Sequence, residues 1–230
     1  MSSKNISVVL AHGAWADGSS WARVIAGLQA VGVRAIAAPL PLTSLADDVQ
    51  ALERTIERAG GPVLLVGHAY AGAVIAATCS AQAKGLVYIA ALAPDEGETV
   101  ADVFYRTQPH PEAPKLAPDT HGLIYLPQEA ITTVFAHNAT PAEQAVLAAV
   151  QRPISPACIT VPVGPPLWRK LPSWYLIAED DRMIARGNQD FMASRMKAVI
   201  ASRPVDHIPS VTAPDEVVAL ILEAIEGVAA

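Results

Sequence analysis

Three short stretches of this chain hold residue types that do chemistry together. The loop VDHIPSVTAP, residues 205–214, carries His207, and the segment YLIAEDDRMI, residues 175–184, carries three consecutive carboxylates. An imidazole titrates near neutral pH, and a carboxylate fixes its tautomer, so the two types make a general base with its orienting partner. The distance from the strand end favours Asp181 for that partner, with Asp180 in reserve. The third stretch, VLLVGHAYAG, residues 63–72, reads as an apolar strand that turns sharply into a helix, a geometry that holds up a nucleophile. Its apex is Ala69, which has no chemistry.

Two amides are expected beside that apex. In the usual form, G-x-S-x-G, small residues flank the nucleophile because helix and strand pack closely there. Gly67, Ala71 and Gly72 meet that need here, so the chain departs from the form at Ala69 and, mildly, at Ala71. LAHGAWADGSSW, residues 10–21, places His12 and Gly13 at the end of the first strand, where a loop supplies one oxyanion-hole N–H. Ala14 is assigned that N–H. Tyr70, the residue after the apex, is assigned the second, at a helix start that also favours negative charge.

Such residues meet only if strands deliver them to one edge of a sheet. Apolar runs bounded by turn residues alternate with helical patterns: strands over 6–11, 33–39, 62–67 and 85–92, and helices over 20–32, 44–61 and 71–83. Ser44 with Asp47 reads as a helix start, and Gly60 with Gly61 as its stop. The pattern predicts an α/β chain with a doubly wound, mostly parallel sheet.

After Pro94 the rhythm breaks. Residues 94–172 are proline-rich, with helices expected over 126–135 and 140–151, the second opened by Thr140, Pro141 and Glu143. A stretch this long is not expected to be a bare loop, so a small helical lid inserted after the fourth core strand is expected within one domain, 1–230. The core resumes with a strand over 173–179, a helix over 187–197 and a last strand over 198–205. Thr212 with Asp215 is expected to cap the final helix.

Composition narrows the partners. The 230 residues carry 16 Lys and Arg against 22 Asp and Glu, a net charge of −6, with no basic run, which excludes a polyanion such as nucleic acid. No stretch reaches the roughly 18 apolar residues of a membrane span, and the N-terminus lacks the layout of a signal peptide. A cytoplasmic protein with no membrane partner is expected. Cys79 and Cys158 lack metal or redox spacing, and His110, His121 and His137 are irregularly placed, so no metal is assigned.

HGAW with Trp21, GHAYAGAVI, LVYIAALAP, AEDDRMI and DHIP together resemble the α/β-hydrolase superfamily over essentially the whole chain. The likeness is to the small-lid branch of hydroxynitrile lyases, plant-hormone methylesterases and related bacterial esterases. It implies a Ser, Asp and His triad whose members present here are Asp181 and His207, in the order apex, acid, histidine.

Serine in that scheme attacks, histidine takes its proton and aspartate orients the ring. Ala69 cannot be acylated, and Ser19, Ser20, Cys79 and Cys158 all lie away from the apex. Three readings follow: an esterase-type hydrolase with its apex inactivated; a cofactor-free lyase, isomerase or hydrolase using His207 and Asp181 as a base without a covalent intermediate; and a non-catalytic ligand-binding member of the fold. Small esters, lactones or carbonyl compounds are the expected ligands. His12, Trp15, Tyr105, Tyr125 and Trp168 are expected to line an apolar pocket. No nucleotide fingerprint is present, so no cofactor is expected, and a homodimer is compatible with the chain.

Overall fold

A computed structural model describes residues 6–229. Its strands are β1 (Ser7–Ala11), β2 (Ala35–Ala38), β3 (Val63–His68), β4 (Ala83–Ile89), β5 (Ser173–Ala178) and β6 (Val199–Arg203). The helices are α1 (Ala22–Ala30), α2 (Leu45–Ala59), α3 (Ala71–Ala77), α4 (Val100–Phe104), α5 (Gln128–Ala130), α6 (Pro141–Val150), α7 (Arg186–Arg195), α8 (Pro209–Thr212) and α9 (Pro214–Ala229). One six-stranded sheet runs β2-β1-β3-β4-β5-β6, and every pairing is parallel.

The strands read as unbroken apolar runs because both faces of the sheet are covered. Val9, Leu65, Tyr88 and Tyr175 point to one side, where α2, α3 and α7 pack. Val8, Leu64, Val87 and Leu176 point to the other, against α1 and α9. Neighbouring strand residues thus serve different layers, as a period of two requires.

Local signals fix the helix that flanks the site. Ser44 Oγ accepts the Asp47 N–H at 3.1 Å, and Gly60 ends α2 in the left-handed conformation at φ 74°. Between these caps, Leu45, Leu52, Ile56 and Ala59 form the buried stripe.

Several boundaries differ from the sequence expectation; β4 runs Ala83–Ile89 rather than 85–92, and β6 ends at Arg203 rather than 205. α3 stops at Ala77, because Thr78 turns extended and its hydroxyl donates to Glu53 Oε1 at 3.1 Å. Over 126–135 a single helical turn, α5, runs on as a π-helical turn, Ile131–Phe135. Thr212 does not cap α9: it closes α8, and its hydroxyl donates to Asp206 Oδ1 at 2.6 Å.

β1 sits between β2 and β3, so the chain leaves β1 and β3 toward opposite sides of the sheet. Such a switch point opens a crevice at the carboxyl ends of those strands. The loop after β1 and the turn after β3 both end there.

Candidate active site

The turn after β3 stands at the crevice. Ala69 holds φ 49°, a left-handed conformation unusual for a residue with a Cβ. Its carbonyl accepts the N–H groups of Gly72 and Leu92 at 3.1 and 2.9 Å, which pins the apex to both α3 and the end of β4. A Cβ on Gly67 would stand 2.7 Å from the Ala71 carbonyl oxygen, and one on Gly72 would collide with the Leu92 carbonyl. These glycines let helix and sheet close on the turn.

The histidine and the acid expected to orient it stand together. His207, in the loop after β6, donates from Nδ1 to Asp181 Oδ2 at 2.9 Å, with both side chains buried. A carboxylate acceptor sets the tautomer with the proton on Nδ1 and leaves Nε2 as the free, basic atom. Asp181 is itself held: Oδ1 accepts the Met183 and Ile184 N–H groups at 2.7 and 2.9 Å, and Oδ2 also accepts Gln189 Nε2 at 3.0 Å. Gln189, on α7, is locked in turn by the Ala178 N–H and the Ile184 carbonyl. The carboxylate therefore cannot swing away from the ring. Asp180, the reserve, contributes only its backbone N–H, to the Val205 carbonyl.

Two further histidines lie beneath. His68 donates from Nε2 to the His207 carbonyl at 2.7 Å, and its pKa is pushed down to about 3 by burial first and the nearby His207 second. It is an uncharged spacer in the core. His12 donates from Nδ1 to the Gly13 carbonyl at 3.0 Å, and burial lowers its pKa as well. On the far side Asp206 accepts the Asn138 N–H at 2.9 Å, tying the His207 loop to the segment between β4 and β5.

A cavity of about 110 Å³ opens over the apex. Ala14, Trp15, Ala69, Tyr70 and His207 form its floor, and Val100, Phe104, Tyr105, Ile124, Ile154, Ile159, Met183 and Ile184 are among its walls. No Asp, Glu, Lys or Arg side chain lines it. Neither the Ala14 nor the Tyr70 N–H finds a backbone acceptor among the described residues.

Of the residues expected to line the pocket, Trp15 and Tyr105 do so. His12 is buried below, Tyr125 is half-exposed outside the lining, and Trp168 is buried elsewhere, with Nε1 toward the Pro94 carbonyl at 3.4 Å. Trp15 also supports the wall: Nε1 donates to the Ile124 carbonyl at 3.0 Å. Sequence reasoning missed Gln189, Asp206 and the buried Asp48, which accepts the Tyr70 hydroxyl at 2.7 Å. Nothing in the spacing of a glutamine in α7, or of an aspartate beside a helix cap, separates it from a side chain that faces water.

Among the described residues, no group of three His, Cys, Asp or Glu side chains could hold a metal ion, and no helix is long and apolar enough to cross a membrane.

A sequence model of the alpha/beta hydrolase family matches residues 8–220. An alpha/beta hydrolase of Aspergillus novofumigatus, nvfD, is 25% identical over 221 residues, covering 85% of this chain and 84% of its own. Among solved structures, a pyrethroid hydrolase superposes with a TM-score of 0.82 at 22% identity, covering 97% of this chain and 98% of its own. A methylesterase from Arabidopsis superposes with a TM-score of 0.78 at 16% identity, with 96% and 99% covered.

Proposed function

The chain belongs to the alpha/beta hydrolase family, and from that premise we propose that it acts on small, neutral ester, lactone or carbonyl compounds, with His207 as general base and no covalent intermediate. The observation that carries this reading is the His207 Nδ1 to Asp181 Oδ2 bond of 2.9 Å, kept intact beside an apex that cannot be acylated. A pure binder has no use for an oriented base.

In the hydrolytic form, His207 Nε2 takes a proton from water as the oxygen attacks the carbonyl carbon. The carbonyl becomes an oxyanion held by the Ala14 and Tyr70 N–H groups, which have no backbone acceptor among the described residues and so suit the role. Collapse expels the alkoxide, and Nε2–H returns the proton to it. Asp181 holds the ring in place throughout and stabilises the imidazolium. With a substrate bearing an acidic C–H or O–H group, the same base and amides serve elimination or isomerisation.

The apolar lining supports a neutral substrate, because no Lys or Arg side chain stands in it to pair with a carboxylate or phosphate. The structural neighbours include a methylesterase and a pyrethroid hydrolase, which supports esters as the first class to try.

The second reading is an esterase whose apex has been disabled and which binds without turning over. The left-handed φ of 49° at Ala69 favours it, since the strain of a nucleophile turn persists where no nucleophile uses it. Turnover of short-chain esters, aryl esters and lactones by this chain and by His207→Ala tests the first reading. It expects activity that disappears with the imidazole, and activity unchanged by His207→Ala sinks it.

A further inference from the structure

Asp48 is a buried acid that this chemistry does not use. It sits in the first turn of α2 with no exposed surface, and its carboxylate gathers one donor from just before the helix and two from remote stretches of chain. The Leu42 N–H donates to Oδ1 at 2.7 Å, the Tyr70 hydroxyl donates to Oδ2 at 2.7 Å, and Cys158 Sγ lies 3.6 Å from the same oxygen. Burial raises the carboxyl pKa while these bonds act to lower it. The Cys158 thiol is pushed up to about 12, by burial first and by Asp48 second, so it remains a protonated donor.

Each partner leads to the cavity. Tyr70 follows the apex and lines the floor, and Ile159, next to Cys158, lines a wall. Ile154, on the same wall, precedes Ser155, whose N–H donates to the Leu42 carbonyl at 3.0 Å. Leu42 holds φ 59°, a conformation that strains a residue with a Cβ and persists only where neighbours enforce it. Its two bonds, to Asp48 and from Ser155, are that enforcement.

We propose that Asp48 is a positioning residue: it fixes Tyr70 beside the apex and clasps the 154–159 wall to the core, so that floor and wall of the cavity hold one geometry. Its effect on turnover rests on the function proposed above; the clasp itself does not.

The test uses the full chain carrying Cys79→Ser, which leaves Cys158 as the one thiol. Tyr70→Phe, Asp48→Asn and the double variant are compared for the rate at which Ellman's reagent labels Cys158 under native conditions. Each single change is expected to speed labelling roughly tenfold, the scale of one buried hydrogen bond to a charged group. The double variant is expected to be no faster than the faster single, because both cut the same clasp. Ile225→Ala, which hollows the opposite face of the sheet under α9, lowers overall stability without touching the clasp and is expected to leave labelling unchanged.

Labelling no faster in the Asp48 and Tyr70 variants than in Ile225→Ala would overturn the proposal, as would additive effects in the double variant. Should Asp48→Asn not fold, Tyr70→Phe carries the comparison alone. On p-nitrophenyl acetate the same variants are expected to lower kcat in parallel with faster labelling. A parent chain inert toward esters, lactones and carbonyl compounds alike sinks the proposed function, while the labelling rates still decide the clasp.

Discussion

Gly13 faces Ala69 so closely that a Cβ on Gly13 would stand 2.9 Å from the Ala69 Cβ, with His68 Nδ1 at 3.0 Å and the His68 carbonyl at 3.1 Å. The loop that presents the Ala14 amide is thus seated on the apex turn itself. Gly13→Ala must push the two apart. It is expected to cost about 1–3 kcal/mol of stability, the usual price of overpacking, and to lower kcat at least tenfold by displacing the amide, a loss on the scale of one oxyanion donor, roughly 10²-fold. Urea unfolding and steady-state kinetics on one ester read both, and an unchanged kcat in a folded variant would remove Ala14 from the site.

Asp181→Asn keeps the shape of the acid but loses its charge, and an amide at that position can hold the imidazole with the proton on the wrong nitrogen. Turnover is expected to fall by about 10³-fold or more, as when the orienting acid of a triad is neutralised. Gln189→Leu should act in the same direction and more weakly, since Asp181 keeps the Met183 and Ile184 amides. Equal kcat for Asp181→Asn and the parent chain would refute the role of the acid.

The exposed caps of α4 and α6 make part of the stability pH-dependent. Glu143 is held below its ordinary pKa of 4.5 by the Thr140 N–H and then by the Thr140 hydroxyl, and Asp102 is held below 3.8 by the same groups of Thr99. A carboxyl whose folded pKa is depressed stabilises the fold above its unfolded value, and that contribution is lost as pH falls through the folded value. The urea midpoint of the parent chain should therefore exceed that of Glu143→Ala at pH 7, with the gap closing below about pH 4.5. A gap that persisted at pH 3 would assign the loss to contacts of the side chain other than the capping carboxylate, since alanine is the better helix former.

Asp48 runs the other way. Burial raises its folded pKa, so its contribution is fully present below 3.8 and declines as pH rises through the folded value. Asp48→Asn removes that titration, and its stability profile between pH 4 and 7 is expected to slope less downward than that of the parent. Parallel profiles would contradict the direction of the shift.

Much of this site is legible in the sequence because its parts stand at strand ends. Ala69, Asp181 and His207 each follow an apolar run, and a parallel sheet delivers such residues to one edge. Ser44, Gly60 and Thr140 announce helix ends by local chemistry alone, and the structure places them there. The partners that depend on tertiary approach are not legible. Asp48 reads as a second acidic residue in a capped first turn, yet its neighbour Asp47 is exposed while Asp48 is sealed beneath Tyr70 and Cys158. Trp168 and Tyr125 have the composition of pocket residues, but only packing decides that one turns to Pro94 and the other to the surface. Thr212 carries a capping signature and spends its hydroxyl on Asp206 instead.

The central claim is that His207 works as a base with no acyl-enzyme. Pre-steady-state release of p-nitrophenol from p-nitrophenyl acetate, compared among the parent chain, His207→Ala and Ala69→Ser, tests it most directly. The account predicts that the parent releases product linearly without a burst, that His207→Ala falls to the background rate, and that Ala69→Ser adds a burst that marks an acyl-enzyme. A parent chain indistinguishable from His207→Ala, beside an Ala69→Ser chain that turns over rapidly, would contradict it and leave a disabled esterase.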